Sequence, residues 1–405
     1  MADITEIWER LARPNGGKIV YLVLDGLGGL PDPTHGRSEL QIANTPNLDR
    51  LARSSSCGML EMVGPGITPG SGPGHLSLFG YDPLTYPVGR GVLAALGIGF
   101  DLKPGDVAAR VNFATIDSAG KISDRRAGRI TTKTNRSLCE RIRDEVKLEC
   151  DGEFFFETVR DYRAVLILRG DRISGEVDDT DPQKTGVFPA EPQSKIREGA
   201  RTVQIVRSLV DQARKILSQE EKANMILLRG FSRYTPIRSL EERFRLKSIC
   251  LADYPMYRGL SRLLGMELAS LPASLENAFE PLHRAYGEDF DFYFLHVKQT
   301  DSAGEDGAFA RKVSAIEQVD ALLPRISELD ADVMVITGDH STPSIMASHS
   351  WHPVPVLLCS KFSRNQPVER FDEDNCMRGA LGLRPALDLM GLALAHAGRL
   401  QKYGA

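Results

Sequence analysis

The sequence predicts a mixed α/β protein built on a mainly parallel sheet. Three apolar runs, within residues 19–24, 291–298 and 333–340, lack the polar alternation of half-exposed strands. Such runs are typical of parallel strands covered on both faces. Helical periodicity separates them along the chain, as in an alternating strand–helix fold. In sheets of this kind ligands bind at the carboxyl edge, so the residues that follow each run are the first candidates for a site.

Length, charge and cysteine content restrict the class of protein. A chain of 405 residues can form two domains, or one large domain with an insertion. The formal net charge of -4 without a sizeable basic block argues against nucleic acid as a partner. No apolar run approaches the roughly 18 residues of a membrane span, and the N-terminal segment lacks a signal peptide's apolar core. The six cysteines form no C-x-x-C pair and fit reduced thiols, so we expect a cytoplasmic protein.

The first predicted strand ends in a carboxylate, and a helix follows it. Asp25 comes directly after residues 19–24. Further on, Thr45 and Pro46 predict a helix start, with Thr45 as the N-cap and Pro46 at the first helical position. This helix is expected to run towards Ser55.

A segment rich in glycine and proline then carries a serine between two glycines. Residues 64–74 contain too many conformational breaks for regular structure, and helical periodicity resumes at His75. Ser71 would lie beside free backbone N–H groups and the positive end of that helix, a position that suits a nucleophile attacking a phosphoryl group. A flexible loop whose serine has no role is an alternative that the loop alone does not exclude.

The middle of the chain predicts a separate, smaller α/β domain. Its expected strands, 108–113, 164–168 and 224–228, are separated by arginine-rich segments, and residues 178–193 read as a long polar loop. We therefore predict a core domain of residues 1–105 and 236–405, and an inserted substrate-binding domain of residues 106–235. The arginines of the insertion could hold a small polyanion through bidentate contacts.

After Pro236 the alternation of strands and helices returns. The expected strands are 248–251, 291–298, 333–340 and 354–358. One expected helix begins at Tyr257, and two others span 309–323 and 384–400.

Three strands that are far apart in sequence end in possible metal ligands. These are Asp25, the segment 296–301, and the pair Asp339 and His340. If the strands are neighbours, their carboxylates meet at one edge and repel each other unless cations neutralise them. Asp, Glu and His without cysteine suit Mn²⁺, Mg²⁺ or Zn²⁺. With about six candidate ligands we expect two metal ions, a pair that suits phosphoryl displacement with Ser71 as nucleophile.

Several motifs together resemble the archaeal-type 2,3-bisphosphoglycerate-independent phosphoglycerate mutases of the alkaline phosphatase superfamily. The motifs are Val-Leu-Asp25-Gly, Thr45-Pro-Asn-Leu-Asp-Arg-Leu51, Gly70-Ser71-Gly-Pro-Gly-His75, His296-Val-Lys-x-x-Asp301 and Gly338-Asp339-His340-Ser-Thr-Pro343. The resemblance runs in order from about Lys18 to His396. It implies an alkaline-phosphatase-like core, with a mainly parallel sheet sandwiched by helices, interrupted by a smaller α/β domain, and a site in the cleft between them.

The resemblance also implies an activity. An isomerase of this family interconverts 3-phosphoglycerate and 2-phosphoglycerate in glycolysis and gluconeogenesis through a phosphoserine, without 2,3-bisphosphoglycerate. Water must be excluded, because hydrolysis of the phosphoserine would turn the mutase into a phosphatase. A metal-dependent phosphatase and a phosphotransferase similar to homoserine kinase are the alternatives. A non-catalytic binding protein is disfavoured by the retention of Ser71, Asp25, Asp339 and His340.

Site residues follow from the same resemblance. Ser71 would be the phosphorylated nucleophile. The expected ligands of the first metal are Asp25, Ser71, Asp339 and His340. The expected ligands of the second metal are Asp301, Glu305 and His349. Glu305 stands where the family usually has a histidine, and its added negative charge favours Mn²⁺ or Mg²⁺ over Zn²⁺.

The substrate contacts are predicted from charge and position more than from motif. Carboxylate and phosphate of a small phosphoglycerate are the groups to be held. The expected residues are Arg126, Arg129, Arg163, Arg169, Arg258 and Lys298. The sequence does not indicate an oligomeric state.

Overall fold

The computed structural model describes residues 4–149, 152–269, 279–364 and 368–404. The chain divides into two compact units. The core unit is Met1–Pro87, Arg238–Tyr254 and Leu264–Ala405, and the second unit is Val88–Ile237 and Pro255–Leu263. These limits differ from the predicted domain bounds at residues 106 and 235. The helix that starts at Arg90 packs closely on a strand of the second unit, since a Cβ built at Gly91 would lie 2.2 Å from the carbonyl oxygen of Ala108.

The strands are β1 (Ile19–Leu24), β2 (Ser56–Glu61), β3 (Val107–Ile116), β4 (Ile122–Asp124), β5 (Gly152–Arg160), β6 (Arg163–Gly170), β7 (Met225–Arg233), β8 (Ser248–Leu251), β9 (Glu267–Leu268), β10 (Phe292–Val297), β11 (Val333–Thr337), β12 (Val354–Ser360) and β13 (Gly382–Pro385). The helices are α1 (Ile4–Leu11), α2 (Glu39–Ile42), α3 (Pro46–Arg53), α4 (Ser71–Leu78), α5 (Arg90–Gly97), α6 (Thr132–Glu145), α7 (Ala200–Ile216), α8 (Leu240–Phe244), α9 (Pro255–Leu263), α10 (Phe279–Tyr286), α11 (Gln299–Glu305), α12 (Phe309–Ser327), α13 (Glu373–Met377) and α14 (Asp388–His396).

The core unit contains an eight-stranded, mainly parallel sheet in the order β13-β2-β12-β11-β1-β10-β8-β9. Strand β1 is buried along its whole length and runs parallel to both of its neighbours, β10 and β11. Val23 pairs with His296 on one side and with Thr337 on the other, so the three strands end at one edge of the sheet. The predicted α/β fold class is therefore confirmed.

The second unit contains a five-stranded antiparallel sheet. Its order is β4-β3-β6-β5, with β7 paired to β3. The predicted strands 108–113 and 164–168 lie within β3 and β6, and the predicted strand 224–228 overlaps β7, which begins one residue later. The sequence prediction missed β4 and β5. Helices α6 and α7 contribute Leu138, Ile142 and Leu209 to the hydrophobic core of the unit.

Helix α3 starts where predicted, but a distant residue caps it. Thr45 is the N-cap residue, yet its side chain makes no capping hydrogen bond. Instead the carboxylate of Asp320, from α12, accepts the N–H of Leu48 at 2.7 Å and that of Asn47 at 3.2 Å. A carboxylate suits the positive end of a helix at least as well as a hydroxyl does. The predicted N-cap position of Thr45 is therefore confirmed, although its hydroxyl is not the group that caps the helix.

The C-terminal prediction is also corrected. Residues 384–400 were expected to be helical, but Arg384 and Pro385 belong to β13, which pairs in parallel with β2. Helix α14 begins at Asp388.

Within the described part of the chain, no helix combines the length and apolar composition that crossing a bilayer requires. The described cysteines are all free thiols: Cys57, Cys139, Cys250, Cys359 and Cys376. Cys150 lies outside the described residues.

Candidate active site

Ser71 is the first residue of α4, so the helix begins earlier than the predicted start at His75. The glycines that suggested an irregular loop instead allow close packing at this helix start. A Cβ built at Gly74 would lie 2.0 Å from the carbonyl oxygen of Asp339. Ser71 is 7% exposed, and its Oγ lies 3.2 Å from His340 Nε2.

Asp25 is fully buried at the end of β1 among three cationic or potentially cationic groups. Its Oδ1 lies 3.2 Å from His340 Nε2. Its Oδ2 lies 3.2 Å from His296 Nε2 and 2.9 Å from Lys298 Nζ. Burial by itself raises the pKa of Asp25, but the charge of Lys298 and the two histidines outweigh it and hold the pKa well below its usual range. The carboxylate is therefore ionised.

Asp339 and His340 follow β11 and are both fully buried. The backbone N–H of Gly26 donates to Asp339 Oδ1 at 3.1 Å. Asp339 Oδ2 lies 3.3 Å from His340 Nε2 but has no hydrogen-bond partner among the described residues. Burial lowers the pKa of His340, yet the neighbouring carboxylates of Asp339 and Asp25 outweigh burial and raise that pKa to about 9.

A second group of possible ligands forms around His349. Its Nε2 lies 3.6 Å from Asp301 Oδ1 and 3.7 Å from Glu305 Oε1. Its Nδ1 lies 3.0 Å from the carbonyl oxygen of Pro69 and donates to it, because a carbonyl can only accept. The other ring nitrogen, Nε2, faces the carboxylates, and it is the one that could bind a metal, since metal-ligating histidines commonly donate their second ring N–H to a carbonyl. Asp301 is buried, whereas the Glu305 side chain is 55% exposed.

These side chains fit divalent cations. In the triads Asp25–Asp339–His340 and Asp301–His340–His349, one ligand atom from each residue lies within 4.8 Å of the others. Lys298 forms ion pairs with one carboxylate of each group, Asp25 and Asp301, so a cationic group already lies beside both groups. Asp339 Oδ2, buried without a hydrogen bond, is an atom that a cation would satisfy. Oxygen and imidazole donors without thiolate suit Mn²⁺, Mg²⁺ or Zn²⁺.

The predicted ligand sets left out two histidines of this cluster, His75 and His296. His296 contacts Asp25, and His75 Nδ1 lies 3.2 Å from Asp339 Oδ2 and 2.8 Å from the carbonyl oxygen of Ser71. His75 is fully buried and the His296 side chain is 1% exposed, and burial lowers the pKa of His296. His296 lies on β10 opposite Val23, two residues before Asp25. Its position near the end of a predicted strand is the sequence feature that could have indicated its place in the site.

The chain matches one family along its whole length. Residues 52–223 match the sequence profile of the 2,3-bisphosphoglycerate-independent phosphoglycerate mutases. A protein of Thermus thermophilus, named a probable 2,3-bisphosphoglycerate-independent phosphoglycerate mutase, is 46% identical over 406 residues that cover 100% of both chains. The chain belongs to this phosphoglycerate mutase family. The resemblance predicted from the motifs and the enzyme class, isomerase, are thus confirmed.

Two solved structures are similar to this chain over nearly its whole length. A protein of Pyrococcus horikoshii superposes with a TM-score of 0.81 at 28% identity, covering 96% of this chain and 100% of its own. A cofactor-independent phosphoglycerate mutase of Thermoplasma acidophilum superposes with a TM-score of 0.68 at 31% identity, covering 94% of this chain and 100% of its own.

The side chains predicted to hold a mutase substrate fall into two places. Lys298 lies in the core unit beside Asp25 and Asp301. The five arginines lie in the second unit, either in the turn after β4, on β6 or on α9: Arg126, Arg129, Arg163, Arg169 and Arg258.

Proposed function

We propose that this mutase-family enzyme interconverts 3-phosphoglycerate and 2-phosphoglycerate through a phosphoserine on Ser71, without 2,3-bisphosphoglycerate. The arrangement of Ser71 supports the proposal most directly. Its hydroxyl lies at the positive end of α4 and 3.2 Å from His340 Nε2, next to the buried acidic cluster. The names of the full-length relatives supply the substrate class.

The proposed site holds two divalent ions. Asp25, Ser71, Asp339 and His340 would hold one of them. Asp301, Glu305 and His349 would hold the other. When bound, the ions would favour the alkoxide form of Ser71 and offset the negative charge on the phosphoryl oxygens. Three carboxylates and an exposed glutamate favour Mn²⁺ or Mg²⁺ over Zn²⁺.

The proposed reaction makes and breaks one bond to phosphorus in each half. Ser71 Oγ attacks phosphorus, the bond from phosphorus to the glycerate oxygen breaks, and that oxygen takes the proton that Ser71 loses. Glycerate then turns within the site, its other hydroxyl attacks the phosphoserine, and Ser71 recovers a proton from that hydroxyl. Lys298, beside Asp25 and Asp301, would hold an anionic group of the substrate.

A strained turn after β4 supports Arg126 and Arg129 as substrate contacts. Ala127 and Arg129 have positive φ angles of 47° and 54°, and Gly128 between them has a φ of 60°. Each non-glycine residue in this region costs about 1–3 kcal/mol, and such strain concentrates at functional sites. The carboxylate of Asp124 holds the turn by accepting the N–H groups of Arg126 and Gly128 at 2.7 and 2.6 Å. Both arginines of the turn are exposed, and neither guanidinium has a hydrogen bond or ion pair within the described ranges.

The arginines of β6 are engaged inside the second unit. Arg169 makes a bidentate contact with Asp106 at 2.9 and 2.7 Å and lies over the ring of Phe155. Arg163 lies over the ring of Tyr162 and 3.8 Å from Asp161. We therefore propose Arg126, Arg129 and Lys298 as the main substrate contacts. Arg258, half-buried on α9, stays a prediction.

Replacing the two free arginines is expected to weaken substrate binding. Arg126→Ala and Arg129→Ala should each raise the KM for 3-phosphoglycerate about tenfold or more, because a hydrogen bond to a charged group contributes about 1.5–3 kcal/mol. Arg169→Leu should instead lower the melting temperature, since the buried Asp106 carboxylate loses both of its bonds from Arg169. Steady-state kinetics and thermal denaturation of the three variants measure both effects. An unchanged KM in the Arg126→Ala, Arg129→Ala double variant would contradict the assignment.

A coupled assay tests the activity itself. The purified protein is mixed with 3-phosphoglycerate and Mn²⁺, without 2,3-bisphosphoglycerate, and enolase converts any 2-phosphoglycerate formed. Continuous turnover is the expected result. Absence of 2-phosphoglycerate, or release of free phosphate in its place, would refute the proposed mutase activity.

A further inference from the structure

One threonine hydroxyl lies between the two groups of proposed metal ligands. Thr342 Oγ1 is 2.9 Å from His340 Nδ1 and 2.8 Å from Asp301 Oδ1. Thr342 is fully buried. His340 belongs to the group around Asp25, and Asp301 to the group around His349.

The direction of these two hydrogen bonds follows from the atoms involved. A carboxylate can only accept, so the single hydroxyl hydrogen of Thr342 is donated to Asp301. Oγ1 must then accept from His340, which requires a hydrogen on His340 Nδ1. The nitrogen left to bind a metal is Nε2, which lies 3.2 Å from Asp25 Oδ1 and 3.3 Å from Asp339 Oδ2. The hydroxyl therefore selects the ring nitrogen that faces the first group.

The backbone of Thr342 is held in place independently of its hydroxyl. Its N–H donates to the carbonyl oxygen of Gly28 at 3.0 Å, and its own carbonyl oxygen accepts from Lys312 Nζ at 2.9 Å. Gly26, with a φ of 65°, leaves the room that the side chain needs, since a Cβ there would lie 2.5 Å from Thr342 Oγ1. A residue of the same shape without a hydroxyl is thus expected to occupy the same position.

We propose that Thr342 is a positioning residue that orients one ligand of each metal site, His340 for the first and Asp301 for the second. This inference rests on the proposed two-metal site. A side chain that holds a metal ligand in place typically changes metal affinity when it is removed, and here one hydroxyl serves both sites. Loss of the Thr342 hydroxyl should therefore weaken the binding of both ions, not of one alone.

The test measures Mn²⁺ binding to metal-free protein by isothermal titration calorimetry, with bound Mn²⁺ counted by electron paramagnetic resonance. Thr342→Val should bind both ions about 10–100-fold more weakly than wild type. Thr342→Ser, which restores the hydroxyl, should recover most of that affinity. Thr342→Ala serves as a second variant if the valine variant does not fold.

Thr337→Val is the matched control, because it removes another fully buried threonine hydroxyl, one that donates to the carbonyl oxygen of Pro355 at 2.9 Å. It should bind Mn²⁺ like wild type. Unchanged affinity in Thr342→Val, or a loss confined to one ion, would overturn the inference. A failure of the wild-type protein to bind any Mn²⁺ would instead refute the metal sites themselves, and this inference with them.

Discussion

Ser71→Ala is expected to abolish mutase activity, lowering turnover by about 10⁴-fold or more, as loss of a nucleophile does in other enzymes with covalent intermediates. The fold should persist, because the contact that orients the start of α4 comes from the backbone of Ser71. Its carbonyl oxygen lies 2.8 Å from His75 Nδ1 and is unchanged in the variant.

Ser77→Ala is the matched control for this experiment. Ser77 lies on the same helix and is also buried, but its Oγ has no hydrogen-bond partner among the described residues. The variant should keep its activity. Coupled kinetics at saturating substrate, with circular dichroism as the check on folding, measure both variants. Turnover near wild type in Ser71→Ala would show that the nucleophile lies elsewhere.

Lys312→Met is expected to lower the free energy of unfolding by about 3–5 kcal/mol, because it leaves the buried carboxylate of Glu39 without its ionic partner. Lys312 is fully buried on α12. Its Nζ donates to the carbonyl oxygens of Gly28 at 3.0 Å and Thr342 at 2.9 Å, and it lies 4.0 Å from Glu39 Oε2. These carbonyls belong to the loops that follow Asp25 and His340, so the ammonium group ties together two segments of the candidate site.

A double variant separates the charge from the hydrogen bonds. Adding Glu39→Gln to Lys312→Met removes the unpaired carboxylate, so the double variant should be more stable than Lys312→Met alone. Both variants should remain less stable than wild type, because the carbonyl oxygens of Gly28 and Thr342 lose the hydrogen bonds that Lys312 donates. Thermal and urea denaturation give the comparison. A melting temperature equal to that of wild type in Lys312→Met would contradict this role.

The buried strands could be predicted from the sequence because their burial leaves a local pattern. Ile19–Leu24 and Ser248–Leu251 were predicted with their observed bounds, and both are buried at every position. Their parallel pairing then brings Asp25 and the residues after β10 and β11 to one edge. The acidic cluster therefore follows from the order of the strands and from the residue types at their ends.

Other features could not be predicted because they depend on partners distant in sequence. The cap of α3 comes from Asp320, and the start of α4 depends on close packing of Gly74 against Asp339. Arginine side chains give no local indication of their partners. Arg169 and Arg126 look alike in sequence, yet one is held by Asp106 and the other is exposed.

The central claim is that phosphate passes through Ser71, and mass spectrometry of the enzyme quenched during turnover tests it most directly. The protein is mixed with 3-phosphoglycerate and Mn²⁺, stopped in acid, digested and mapped. We expect phosphate on the peptide that contains Ser71, and none on that peptide without substrate. Turnover to 2-phosphoglycerate without phosphate on Ser71, or with phosphate on another residue, would contradict the account.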